Sequence, residues 1–208
     1  MIGIIDYGMG NLHSVSKALE RMNYDYVISD SPEVLDQAKG LILPGVGSFK
    51  DAMSILNETG LTTYIKESVA SGRPLLGICL GMQLLFEHSE ENGLTEGLGF
   101  LKGEVIRFPG KTTTGEAYKV PHMGWNNLNI QMKSPLLATL DEGHVYFVHS
   151  YYVNTNDPKV VLASSTYDVE VPAVVGNGHV FGTQFHPEKS SDVGLTILKN
   201  YAAIVEGR

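Results

Sequence analysis

Residues 75–83 read Leu75-Leu76-Gly77-Ile78-Cys79-Leu80-Gly81-Met82-Gln83. The run Leu75–Ile78 has no polar alternation, which predicts a strand covered on both faces, as in a parallel sheet between helix layers. Gly77-Ile78-Cys79-Leu80-Gly81 is then a G-x-C-x-G pattern at a strand-to-helix junction, the thiol version of the nucleophile elbow. So sharp a turn forces its central residue into strained backbone, and glycines on either side remove Cβ atoms that would clash. The thiol would stand at the carboxyl end of a strand, where open α/β sheets bind ligands. It would also stand at a helix N-terminus, whose dipole and free N–H groups favour thiolate and oxyanion. Met82, Leu85 and Phe86 are expected on the inner face of the helix that follows. On this pattern alone, Cys79 reads equally as core filler and as nucleophile.

The same texture extends towards the N-terminus. Short apolar strands are expected at Ile2–Ile5, Asp25–Ile28 and Leu41–Leu43, the last stopped by Pro44-Gly45. Between them, Leu12, Val15, Leu19 and Met22 fall at helical spacing, as do Phe49, Ala52, Met53 and Leu56, and then Leu61, Ile65 and Val69. Beyond residue 100 the pattern changes. Strands are expected at 103–108, 125–130, 144–149, 160–165, 170–175 and 179–185, with Gly176-Asn177-Gly178 as a hairpin cue. A helix carrying Leu195, Leu198, Tyr201 and Val205 closes the chain. The reading is an α/β fold: an open, mostly parallel sheet with helices on both faces, plus an antiparallel β-rich C-terminal half. At 208 residues, with no internal repeat or linker, it is read as a single domain over 1–208.

Fifteen Lys and Arg stand against 23 Asp and Glu, a net charge of −8. With no basic cluster this argues against nucleic-acid binding, which needs Lys/Arg patches to displace counterions. No membrane span is expected either: the longest charge-free stretch, 171–187, contains Pro172, Gly176, Asn177, Gly178, Gly182 and His186. The N-terminus lacks the basic region of a signal peptide. A single cysteine excludes an intrachain disulfide and fits a reducing, cytoplasmic setting.

A nucleophilic thiol needs a base, and the base needs an orienting group. Of seven histidines, His186 ends an expected strand and is followed by Pro187-Glu188. The proline stops the strand, and period two puts residues 186 and 188 on one side. Glu188 would accept from one imidazole nitrogen while the other faces the thiol, in the order Cys, His, Glu. Pro44-Gly45-Val46-Gly47 follows the third strand, and its glycines let backbone N–H groups approach a ligand closely. The Lys-Ser/Thr of a phosphate loop is absent. No metal site is expected, and no cofactor.

Together, Gly77–Gly81, Pro44–Gly47 and Phe185-His186-Pro187-Glu188 resemble the class I, triad-type glutamine amidotransferases. Asp6–Asn11 (DYGMGN), Leu43–Phe49 (LPGVGSF), Pro121–Asn126 (PHMGWN), Tyr146–Tyr151 (YFVHSY) and Gln184–Ser190 (QFHPEKS) narrow the resemblance to the glutaminase subunits of imidazole glycerol phosphate synthases. The resemblance runs from residue 2 to the last helix and implies a flavodoxin-like fold. It implies that Cys79, His186 and Glu188 are catalytic, and that the backbone N–H groups of Leu80 and, after a peptide reorientation, Val46 hold the oxyanion. It implies a glutamine pocket at Gly45, Gly47, Gln83, Ser150 and Tyr151. It also implies a partner, a (β/α)8-barrel cyclase forming a heterodimer and activating the glutaminase allosterically. Asn11, Met123, Trp125, Asn126, Tyr146 and Lys189 would face it; Trp125 also reads as a core residue. Two alternatives stay open at this stage: a glutaminase of an anthranilate or aminodeoxychorismate synthase, and a silent regulatory subunit of the same fold.

Overall fold

A computed structural model describes residues 1–208. The chain opens as β1 (Ile2–Ile5), α1 (Leu12–Arg21), β2 (Tyr26–Ser29), a one-turn α2 (Pro32–Leu35) and β3 (Gly40–Gly45). It continues as α3 (Phe49–Glu58), α4 (Leu61–Ala70), β4 (Leu75–Cys79) and a one-turn α5 (Leu80–Gln83). Side-chain oxygens begin two of the long helices: Asn11 Oδ1 accepts from Ser14 N–H, and Ser48 Oγ from Asp51 N–H. The second half supplies β5 (Phe86–Ser89), β6 (Thr95–Glu96), β7 (Leu101–Arg107), β8 (His122–Asn127) and β9 (Asn129–Ile130). Then come β10 (His144–His149), β11 (Tyr151–Asn154), β12 (Val161–Tyr167), β13 (Val169–Asn177), β14 (Val180–Thr183) and α6 (Ser191–Val205).

The main sheet has eight strands in the order β2-β1-β3-β4-β14-β13-β12-β9. The first five run parallel, and β13, β12 and β9 continue the sheet antiparallel. β14 is the last strand in sequence yet sits beside β4, because the β13–β14 hairpin, turning at Gly178 (φ 60°), folds it back onto the parallel part. This register sets the carboxyl end of β14, which leads to His186, next to the carboxyl end of β4, which is Cys79. A four-stranded sheet β11-β7-β5-β6 and a two-stranded ribbon β10-β8 complete the fold.

β1, β3, β4 and β14 are buried along their whole length, as their unbroken apolar runs require. Successive side chains leave a strand on opposite faces, so Ile4 and Ile42 join one core while Ile5, Leu41 and Leu43 join the other. The first core packs α1, α6 and Phe147 of β10 against the sheet. The second packs α3, α4, β5 and β7 against the opposite face. Tyr201 of α6 is fully buried, and its hydroxyl donates to the carbonyls of Leu41 and Pro74, tying the last helix to β3 and to the start of β4.

Two expectations need correction. The helix after Cys79 lasts one turn, and Phe86 belongs to β5 instead. The carbonyls of residues 84–87 accept from the amides of Leu98, Phe100, Leu101, Gly99 and Gly97, so their acceptors are taken across the chain and no helix can continue. Met82, Leu85 and Phe86 are nevertheless all buried. The expected strand over 125–130 is broken at Leu128, whose N–H donates to Gly143 and whose side chain enters the first core.

Candidate active site

The elbow at the end of β4 has the strain its sequence predicts. Cys79 sits at φ 56°, ψ −114°, a left-handed backbone that a residue with a Cβ rarely adopts. Close packing on both sides holds it there. A Cβ at Gly81 would lie 1.8 Å from the Leu43 carbonyl oxygen, and one at Gly77 would lie 2.4 Å from the Gly81 carbonyl oxygen. Leu80 heads α5, so its N–H has no acceptor within the helix.

His186 is buried, and its Nδ1 lies 2.8 Å from Glu188 Oε1. The two are the residues flanking Pro187, which starts a short 3-10 turn and fixes their spacing. Burial alone would disfavour the imidazolium. The Cys79 thiol and the Glu188 carboxylate outweigh it, and the pKa of His186 is pushed up to about 9. A cationic His186 at neutral pH, with Glu188 behind it, is a ready proton donor beside Cys79. Glu188 has no exposed side-chain surface, and its second oxygen, Oε2, has no protein partner.

These groups open into one cavity of about 410 Å³. Its lining comprises Val46, Gly47, Cys79, Leu80, Gln83, Glu91, Pro121, Val148, His149, Ser150, Tyr151 and His186. The cavity thus gathers the expected nucleophile and base, both expected oxyanion residues and four of the five expected substrate residues. Gly45 is the exception. It lies within β3, level with Cys79, where a Cβ would meet the Tyr7 hydroxyl at 2.7 Å. Gln83 is buried and donates to the Tyr151 carbonyl and to Gln184 Oε1, each at 3.0 Å. Val46 N–H does not face the thiol: it donates to the Met9 carbonyl at 3.3 Å. An oxyanion hole built with Val46 therefore requires that peptide to turn, and Gly47 beside it already has φ 99°.

The family model described as glutamine amidotransferase class-I matches residues 3–204. The chain belongs to the class-I glutamine amidotransferase family. Among curated relatives, the imidazole glycerol phosphate synthase subunit HisH of Geobacillus sp. (strain WCH70) is 71% identical over 100% of this chain and 99% of its own length. The protein of the same name from Bacillus subtilis (strain 168) is 58% identical, covering 97% and 95%. At such identity over the full length, this amidotransferase belongs with that HisH group. The fold is also that of a solved glutamine amidotransferase (TM-score 0.77, 23% identity, 100% and 99% covered) and of PurLQS from Thermotoga maritima (TM-score 0.74, 21% identity, 98% of each chain).

The residues expected at a partner surface divide into two kinds. Met123 and Trp125 are 64% and 50% exposed on the β8–β10 ribbon, so the core reading of Trp125 is wrong. Trp125 pairs across the ribbon with Tyr146, ring centroids 5.9 Å apart. Lys189 is exposed in the turn after His186. Asn11 and Asn126 are instead engaged within the chain, Asn11 capping α1 and Asn126 bonding His122 and Thr166. The residues given no role from the sequence are Glu91, Pro121, Val148 and His149 in the cavity wall, and His122 and Gln184 behind it. Pro121, His122 and His149 come to the site through the register of β8 with β10 and Gln184 follows β14, whereas Glu91 lies beyond β5, where its carboxylate accepts from Phe49 N–H.

Proposed function

We propose that this amidotransferase hydrolyses the side-chain amide of L-glutamine through Cys79, His186 and Glu188, and passes the ammonia to a (β/α)8-barrel cyclase subunit. The ammonia then serves the synthesis of imidazole glycerol phosphate and aminoimidazole carboxamide ribotide in histidine biosynthesis, in the cytoplasm. The observation that carries the reading is the strained Cys79 elbow sharing one cavity with His186, which Glu188 backs from the buried side.

In the first half-reaction Cys79 Sγ, its proton already passed to His186, attacks the amide carbon as the thiolate, and the oxyanion forms beside Leu80 N–H at the positive end of α5. His186 gives its proton to the departing nitrogen. The C–N bond breaks, leaving a γ-glutamyl thioester and ammonia. In the second, His186 takes a proton from water, hydroxide attacks the thioester and the C–S bond breaks to give glutamate. Glu188 keeps His186 oriented and balances its charge. Ser150 and Tyr151 offer polar groups to the amino-acid end of the substrate, and Gln83 lines the same wall.

Free ammonia would be protonated and lost in bulk water, which favours a site closed by a second protein. The exposed Trp125 and Met123, with the half-buried Tyr146 beside them, supply aromatic and Met anchors of the kind that dominate interfaces. The intact triad disfavours a silent subunit, and the HisH relatives disfavour a chorismate-using synthase. Assayed with its cognate cyclase, the wild type should release glutamate and ammonia from glutamine. The Cys79→Ala variant should release neither while keeping its fold. Unchanged hydrolysis by Cys79→Ala would overturn the mechanism.

A further inference from the structure

His122 and His149 are buried, and neither has a part in the chemistry above. They face each other across the β8–β10 ribbon, His122 Nδ1 lying 3.0 Å from His149 Nε2. His149 Nδ1 lies 2.7 Å from the Tyr151 carbonyl oxygen. An oxygen with only lone pairs requires an N–H there, so Nδ1 of His149 carries a proton. With both rings neutral, His149 Nε2 is then bare and must accept, so His122 Nδ1 must donate to it. Burial and the neighbouring His122 and His186 hold the His149 pKa down at about 3, which keeps the ring neutral. His122 is itself fixed in place. Its ring stacks between Phe147 (centroids 4.7 Å) and Tyr167 (3.9 Å), and its Nε2, bare in this tautomer, lies 2.8 Å from the Asn126 side-chain amide, a contact the tautomer keeps only with that amide turned so that its nitrogen donates to the ring.

We propose that His122 is a positioning residue for glutamine binding: it fixes the tautomer of His149, and His149 thereby pins the Tyr151 carbonyl in the wall of the pocket. That carbonyl also accepts from Gln83 Nε2 at 3.0 Å, and Gln83 in turn donates to Gln184, whose amide nitrogen lies 4.0 Å from Cys79 Sγ. Two buried donors thus converge on one carbonyl oxygen. Losing the histidine bond frees the Ser150–Tyr151 backbone that would meet the amino-acid end of glutamine. The other chemical groups near the pair are the His186 imidazole, the Tyr167 phenol, which donates to the Lys119 carbonyl, and Glu91 elsewhere in the cavity wall. No carboxylate bonds either ring; the Tyr151 carbonyl, the facing imidazole and the Asn126 amide are the groups that set the tautomers. The inference rests on the glutaminase reading.

Two measurements test it. Nitrogen-15 NMR of the histidine-labelled wild type should show His149 protonated at Nδ1 and bare at Nε2, with His122 protonated at Nδ1. A His149 protonated at Nε2 would overturn the proposal whether or not any variant folds. His122→Phe keeps an aromatic ring between Phe147 and Tyr167 but removes both nitrogens. Assayed with the cyclase present, it should raise the KM for glutamine about tenfold, the scale of one lost hydrogen bond, with kcat within about twofold. His122→Gln, which retains an amide donor, should recover part of that KM. An unchanged KM, or a fall in kcat alone, contradicts a positioning role. Absence of glutamine hydrolysis in the wild-type complex would instead defeat the glutaminase reading, while the tautomer spectrum would still report on the histidine pair.

Discussion

At the scale of single residues, the site works by opposing burial with partners. His186 lies in a low-dielectric setting that resists charge, yet the thiol and Glu188 raise its pKa to about 9. Replacing Glu188 by Gln keeps the shape and removes the charge. We expect kcat to fall by about 10²–10⁴-fold, as for a triad that has lost its carboxylate. We also expect the His186 titration midpoint to move down towards 6.5; a midpoint still near 9 would mean that Glu188 does not support it. Cys79, His186 and Glu188 were legible in the sequence because their neighbours are punctuation: two glycines around the thiol and one proline between the base and its orienting group. His149 lies inside the YFVHSY block, beside Ser150 and Tyr151, yet nothing local assigns it a role. Its role follows from a cross-strand partner 27 residues away.

At the scale of elements, the elbow is a packing solution before it is a chemical one. Leu43 in β3 presses on Gly81, so Gly81→Ala must displace backbone, not a flexible side chain. We expect a loss of at least about 2 kcal/mol in unfolding free energy, together with loss of activity. A variant of wild-type stability would show that the approach is not tight. The strands β1, β3 and β4 were readable from unbroken apolar runs, and the helices α1, α3, α4 and α6 from helical spacing. α5 and β5 were misread for a physical reason. Residues 82–86 place apolar groups at positions that suit either state, and the choice was made by amides of residues 97–101 that no local pattern reveals.

At the scale of the whole molecule, two buried histidines give stability opposite pH dependences. His186, with its raised pKa, stabilises fully below pH 6.5 and loses that contribution as pH rises through about 9. His149, with its lowered pKa, stabilises fully above pH 6.5 and loses that contribution as pH falls towards about 3. Over that lower window it should cost up to about 1.4 kcal/mol per pH unit. Denaturant titrations of wild type and His149→Gln should therefore differ by a constant amount above pH 6.5 and approach each other as pH falls towards about 3; a difference that does not change over that lower window would contradict this. The ribbon makes a separate demand. Because Trp125 is 50% exposed, Trp125→Ala should leave the chain's own stability nearly unchanged. It should weaken binding to the cyclase by about 30-fold or more, equivalent to ~2 kcal/mol, as calorimetric titration would measure. The fold class was legible because whole strands are buried on both faces, whereas the place of β14 beside β4 was not, since only the hairpin with β13 carries it there. The central claim is covalent catalysis by Cys79, and acid quenching of the complex during glutamine turnover, followed by peptide mass analysis, tests it most directly. We expect one γ-glutamyl group on the peptide containing Cys79, absent without glutamine and absent in Cys79→Ala. Full turnover with no adduct on that peptide, or with an adduct on another residue, would contradict it.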